Sequence, residues 1–164
     1  MVIYHGSNIV VEQPIILQSE RMLDFSIGFY TTPIKEQALR WTEQIIRRRE
    51  PKTQVLSIYD FDSELADREL AIVRYFEPDG EWLDFVSANR MGRGAARPYD
   101  IAIGPVANDK VYSVVQFYEN GVYDKEEAIK RLKVEKLFIQ ILFHSEKSLS
   151  YLRFTGFEKL GGAK

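Results

Sequence analysis

The sequence contains no cysteine and only two histidines, His5 and His144. The lack of cysteine excludes disulfide bonds, zinc–thiolate sites and cysteine nucleophiles. His144 follows an apolar segment and has no neighbouring side chains suited to bind a metal ion. Because a metal site needs several such ligands brought together, we expect no bound metal.

The chain also has no large excess of charge of one sign and no long apolar run. The chain has 22 Lys and Arg against 24 Asp and Glu, a formal net charge of −2, which gives no general attraction to nucleic acid or to an anionic membrane. No apolar run approaches the roughly 18 residues that cross a bilayer. The amino-terminal residues lack the basic and apolar regions of a signal peptide. We therefore expect a cytoplasmic protein with no membrane partner.

The chain length of 164 residues suits one domain. We expect a single domain over residues 1–160 and a flexible tail over 161–164. Mixed rather than regularly alternating patterns favour an α+β fold. Apolar periodicity predicts helices over 33–49, 64–76, 81–89, 109–119, 125–133 and 146–152. Strands are predicted over 2–4, 29–31, 55–59, 99–103, 137–143 and 153–160.

Two short segments carry residues suited to ligand chemistry. The first strand ends in His5-Gly6-Ser7, which places a ring, backbone amides and a hydroxyl around one point. Glycine there allows the backbone to approach a ligand closely. The second segment, Gly28-Phe29-Tyr30, is an aromatic strand entered through a glycine. Taken separately, the two segments are more simply a satisfied strand-end histidine and a buried aromatic strand.

In this order, the two segments resemble the NAD-binding strands of ADP-ribosyltransferases of the diphtheria-toxin-like and poly(ADP-ribose)-polymerase-like branch. There, a His-Gly-Ser or His-Gly-Thr strand precedes a Gly-x-Tyr strand. The chain also resembles an uncharacterised bacterial family of ADP-ribosyltransferase-like proteins along most of its length. Family members generally have glycine where this chain has Ser26. Three more segments carry that resemblance: Gln37 to Trp41, Gly104 to Asp109, and Gln140 to Phe143 with Leu152-Arg153-Phe154.

The resemblance implies an ADP-ribosyltransferase-like fold, with split mixed or antiparallel sheets and inserted and flanking helices, and NAD as substrate. His5 would bind a ribose hydroxyl, and Gly6 would contact the nicotinamide amide through its backbone. Ser7 would help to hold the adjacent ribose. Tyr30, entered through Gly28, would stack on the nicotinamide ring, an arrangement that aromatic faces favour.

The third position of the motif is Glu in the active families, whereas the corresponding strand here carries Gln140. Glutamine can hydrogen-bond a hydroxyl but has no charge and is no base. It is equally well explained as a buried residue bridging neighbouring backbone. Asp109 is the best candidate for a carboxylate supplied from elsewhere, although it or its neighbour also suits the cap of the following helix.

Two functions remain open. The first is an NAD-dependent mono-ADP-ribosyltransferase or NAD glycohydrolase acting on a protein, nucleic acid or small molecule. This enzyme would suit a bacterial toxin, effector or toxin–antitoxin component, with a cognate antitoxin or immunity protein as partner. The second is a module of the same fold that binds NAD, ADP-ribose or a protein without turnover. The basic stretch 90–97 is either a loop that contacts pyrophosphate or plain surface.

Overall fold

The computed structural model describes residues 1–17, 23–46, 53–94, 97–106, 109–133 and 138–160. These residues form seven strands: β1 (Val2–Ser7), β2 (Phe29–Thr31), β3 (Gln54–Phe61), β4 (Ile72–Arg74), β5 (Ile101–Pro105), β6 (Ile139–Phe143) and β7 (Leu152–Leu160). They also form six helices: α1 (Lys35–Ile46), α2 (Ser63–Glu69), α3 (Gly80–Arg90), α4 (Asp109–Glu119), α5 (Lys125–Leu132) and α6 (Glu146–Leu149).

The strands belong to two sheets. One is antiparallel, with the order β1-β3-β7; the other has the order β2-β6-β5-β4 and is antiparallel except for the parallel pair β4–β5. An isolated bridge between Tyr4 and Thr32 links the first sheet to the second. Its two backbone hydrogen bonds measure 2.9 and 3.0 Å. The predicted α+β class, with antiparallel and mixed sheets, is confirmed.

Two apolar clusters flank the second sheet. The helix-side cluster contains residues of α3, α4 and α5 with residues of β5 and β6: Phe25, Trp82, Leu83, Phe85, Val86, Tyr99, Ala102, Val111, Val115, Ala128, Leu132 and Leu142. The inter-sheet cluster draws on both sheets and α2: Ile3, Phe29, Tyr59, Phe61, Ala66, Ile101, Ile141 and Phe143. Helix α1 packs on β1 and β3. Residues that alternate along β6 therefore enter different clusters, as the pleat of a strand requires.

The predicted helix over 64–76 is only half right. Asp62 caps α2 by accepting a 3.0 Å hydrogen bond from the Leu65 amide, and the helix ends at Glu69. The following residues form β4, in which Ile72 packs on the inter-sheet cluster and Val73 on the helix-side cluster. β-branched side chains that contact two opposite faces fit a strand and not a helix.

The remaining predicted elements are found, β2 and α4 with the predicted ends and the others with shifted ends. Phe76, predicted on the inner face of a helix, is 88% exposed in the turn after β4. Residues 47–49, 137 and the predicted tail 161–164 lie outside the described part of the chain. Within that part, no helix is both long and apolar enough to span a membrane.

Candidate functional site

His5 lies in β1 and is held in a defined tautomer. Its Nδ1 is 2.7 Å from the backbone carbonyl oxygen of Tyr30. Because a carbonyl oxygen only accepts, Nδ1 carries the proton and the neutral ring leaves Nε2 as an acceptor. The ring stacks on Phe29, with centroids 4.4 Å apart. Burial lowers the pKa of His5 below its ordinary 6.5, against a smaller opposing effect of the Tyr30 hydrogen bond. The ring is therefore neutral at pH 7.

The two residues after His5 are engaged within the protein. A Cβ on Gly6 would overlap the carbonyl oxygen of Ala38 in α1 and lie 2.9 Å from Cγ2 of Thr42. Glycine is thus required by the close packing of α1 on β1. Ser7 is 8% exposed, and its hydroxyl donates a 2.5 Å hydrogen bond to the Ile9 carbonyl. The proton of Ser7 is committed, so its hydroxyl would meet a ligand as an acceptor.

The second predicted segment packs tightly against β6. A Cβ on Gly28 would overlap the side chain of Leu142 and the carbonyl oxygen of Phe143. Tyr30 lies opposite Leu142 and packs on the helix-side cluster. Its hydroxyl donates a 2.6 Å hydrogen bond to the Ser26 carbonyl. Burial, and then the negative charge of Asp24, raise the pKa of Tyr30 well above 10. Tyr30 is therefore a neutral ring fixed at both ends.

Gln140 is buried in β6, directly opposite Gly104 of β5. It is 3% exposed, and its Nε2 has no hydrogen-bond partner among the described residues. Since side chains alternate along a strand, Gln140 shares the face of Leu142 and hence of Tyr30. An unpaired buried amide costs about 1 to 3 kcal/mol in desolvation. Among the described residues, the amide nitrogen of Gln140 thus makes no bridge to neighbouring backbone.

Asp109 is the first residue of α4, and its side chain lies outside the described part of the structure. Its role as the supplementary carboxylate stays a prediction. Asp24 is the carboxylate whose charge acts on the Tyr30 hydroxyl. No sequence signal distinguishes Asp24, because its proximity to Tyr30 depends on the fold of the segment between them.

A second group missed by sequence reasoning is a charged cluster at the end of α3. Arg90 was predicted to open a basic loop, but it ends α3 and its side chain is 8% exposed. Its guanidinium lies 3.9 Å from a carboxylate oxygen of Asp24 and 3.4 Å from one of Glu119. It also lies 4.0 Å from the ring centroid of Tyr112. The spacing of four residues from buried Val86 was the available signal that Arg90 shares the inner face.

The predicted residues thus meet in pairs. His5 reaches Tyr30 through the backbone, and Tyr30 shares a sheet face with Gln140. The His5 ring itself stacks on Phe29, which belongs to the inter-sheet cluster. Two surface cavities of about 380 and 540 Å³ lie elsewhere, and His5, Tyr30 and Gln140 line neither of them.

These features define an α+β protein in which two sheets meet beside a histidine–tyrosine pair. Residues 1–154 match a family described as a protein of unknown function, DUF3990. Because the match covers most of the chain, the protein belongs to that family. No curated protein and no solved structure is significantly similar to the chain.

Proposed function

We propose that this protein binds NAD with an ADP-ribosyltransferase-like fold and cleaves the bond between nicotinamide and ribose. The observation that carries the proposal is the 2.7 Å hydrogen bond from His5 Nδ1 to the Tyr30 carbonyl. It joins the two segments that resemble the NAD-binding strands and leaves Nε2 of a neutral imidazole able to accept a hydrogen bond from a ribose hydroxyl.

The chemistry would proceed by dissociation. The nicotinamide–ribose bond breaks with its electron pair leaving on nicotinamide, and the ribose acquires oxocarbenium character. Water or an acceptor nucleophile then bonds to the anomeric carbon and releases a proton. Tyr30 would stack on the departing ring, and the unpaired amide of Gln140 would donate to a ribose hydroxyl. These two contacts would hold the ribose and the departing ring in the geometry that the reaction needs.

The second candidate is a module of the same fold that binds NAD or ADP-ribose without turnover. One observation favours it: the third position is a buried, uncharged Gln140 instead of a carboxylate. Without a negative charge at that point, the oxocarbenium character is less stabilised. A role as a toxin or effector with a cognate antitoxin or immunity protein rests on the resemblance alone.

The test is release of nicotinamide from NAD by the purified chain, measured by chromatography. We expect release that falls at least tenfold in His5→Ala and in Tyr30→Ala. Glu126→Gln, a change in the first turn of α5, is the control and should match the unchanged protein. Saturable NAD binding with no nicotinamide release selects the binding module. Absence of binding to both NAD and ADP-ribose contradicts both candidates.

A further inference from the structure

The segment that leads into β2 has an unusual pattern of main-chain contacts. Five of its carbonyl oxygens, at residues 24, 25, 26, 27 and 30, each accept a hydrogen bond from a side chain. The donors, which we call the donor group, are Asn89 (3.2 Å), Tyr99 (2.6 Å), Tyr30 (2.6 Å), His144 (2.6 Å) and His5 (2.7 Å).

Four members of the donor group come from distant parts of the chain, and the fifth, Tyr30, belongs to the segment itself. Asn89 lies at the end of α3, His144 directly follows β6, and His5 lies in β1. Asn89 and Tyr99 are only 3% and 7% exposed. Side chains from several elements thus converge on one short stretch of backbone. They add to one backbone hydrogen bond at the start of the segment, from the Ser26 amide to the Leu23 carbonyl (3.1 Å).

The backbone conformation of the segment explains why it needs hydrogen bonds from side chains. Ser26 has a φ of 82°, in the left-handed region that non-glycine residues rarely adopt. Such a backbone persists only where the surroundings fix it. Hydrogen bonds to the carbonyls of residues 25, 26 and 27 surround this point on both sides.

His144 and Tyr99 act as one unit. Their rings stack with centroids 4.7 Å apart and planes 24° apart. His144 Nδ1 faces the Ile27 carbonyl, so this nitrogen carries the proton, as in His5. The backbone amide of His144 donates a 2.8 Å hydrogen bond to the Asp100 carbonyl, which fixes the position of the backbone that carries the ring. The stacked pair therefore holds the carbonyls of Phe25 and Ile27 together.

We propose that His144, supported by Tyr99, is a positioning residue that preorganises the segment from Asp24 to Tyr30 for ligand binding. The two histidines of the chain thus hold two points of the same segment, His144 at Ile27 and His5 at Tyr30. Holding the segment before the ligand arrives removes an ordering cost from binding. The part of this proposal that concerns NAD affinity rests on the proposed function; the part that concerns the segment does not.

The test compares His144→Phe and Tyr99→Phe, which each keep an aromatic ring and remove one donor. Backbone hydrogen exchange reports on segment 24–30, and NAD affinity is measured by calorimetry. Since one hydrogen bond contributes about 0.5 to 1.5 kcal/mol, we expect exchange to rise and affinity to fall roughly three- to tenfold. Tyr118→Phe removes a hydroxyl that bonds Asp84 at the surface and is the control.

A further readout needs no ligand. Long-range ¹H–¹⁵N spectra of the two imidazoles should show a proton on Nδ1 of both rings, because each Nδ1 faces a backbone carbonyl oxygen. Absence of a proton from Nδ1 of His144, or exchange of segment 24–30 that is unchanged in both variants, overturns the proposal. Increased exchange with unchanged NAD affinity overturns the positioning role. If the unaltered chain binds no NAD but the exchange result holds, the proposed function fails and the account of the segment stands.

Discussion

Replacement of Arg90 by Met is expected to destabilise the protein strongly. The guanidinium lies between carboxylates of Asp24 and Glu119, and these three side chains are only 8%, 18% and 13% exposed. Removal of one partner from a buried ion pair leaves unpaired charge and typically costs about 3 to 5 kcal/mol. Loss of the contact with the Tyr112 ring adds about 0.5 to 1 kcal/mol.

The assay is urea unfolding at pH 7. The matched control is Arg131→Met, which breaks the exposed pair with Glu127 and should cost less than about 1 kcal/mol. Glu119→Gln should cost less than Arg90→Met, because Asp24 still faces Arg90 and because burial, only partly offset by Arg90, raises the pKa of Glu119. A group with a raised pKa in the folded state contributes stability below its unfolded pKa, and this is lost as the pH rises.

Two results would refute this reasoning about the charged cluster. One is a decrease in the free energy of unfolding of less than about 1 kcal/mol in Arg90→Met, since removal of a buried cation between two carboxylates should cost more. The other is equal destabilisation of Arg90→Met alone and of Arg90→Met combined with Asp24→Asn and Glu119→Gln. The combined change removes all three charges and should recover most of the lost stability.

Three further changes test the geometry around β1 and β2. Because burial lowers the pKa of His5 from 6.5, the unfolded chain takes up a proton first, and stability present at pH 7 is lost as the pH falls below about 6.5. Thermal unfolding measured from pH 7.5 to 5 should show this loss of stability, which is at most about 1.4 kcal/mol per pH unit for one proton. The loss should be smaller in His5→Phe. Gly6→Ala should cost about 1 to 3 kcal/mol in urea unfolding, because the new Cβ overlaps the Ala38 carbonyl of α1; an unchanged midpoint would contradict the packing. Ser26→Gly should leave stability unchanged or raise it by up to about 1 kcal/mol, since φ is 82°; a clear loss would show that the serine is not strained.

The sequence predicted the elements with strong local signals. Asp79, Asp124 and Ser145 cap α3, α5 and α6 through their side chains, at 2.9, 2.8 and 3.2 Å. Such caps and helical periodicity depend only on residues that are close together in the sequence. The α+β class followed from their mixed order. β4 was missed because Ile72 and Val73 also suit the inner face of a helix, and only the partner strand β5 distinguishes the two.

The candidate site was predictable only in part. The resemblance identified His5 and Tyr30, and the structure joins them through a backbone hydrogen bond that no spacing rule specifies. His144 had no suitable neighbours in sequence, whereas its partners, Ile27 and Tyr99, are distant along the chain. Arg90 was predicted to open a basic loop, but its two carboxylate neighbours come from outside that stretch. Contacts between remote segments depend on topology, which a single sequence does not display.

The central claim is that His5 offers Nε2 to a ribose hydroxyl of NAD. The most direct measurement follows the imidazole ¹⁵N signals of the two histidines while NAD is added. We predict a saturable shift of His5 Nε2, absent when Tyr30→Ala removes the stacking ring, with His144 Nδ1 unchanged. NAD binding that leaves the His5 signals unmoved, or no binding at millimolar NAD, would contradict the account.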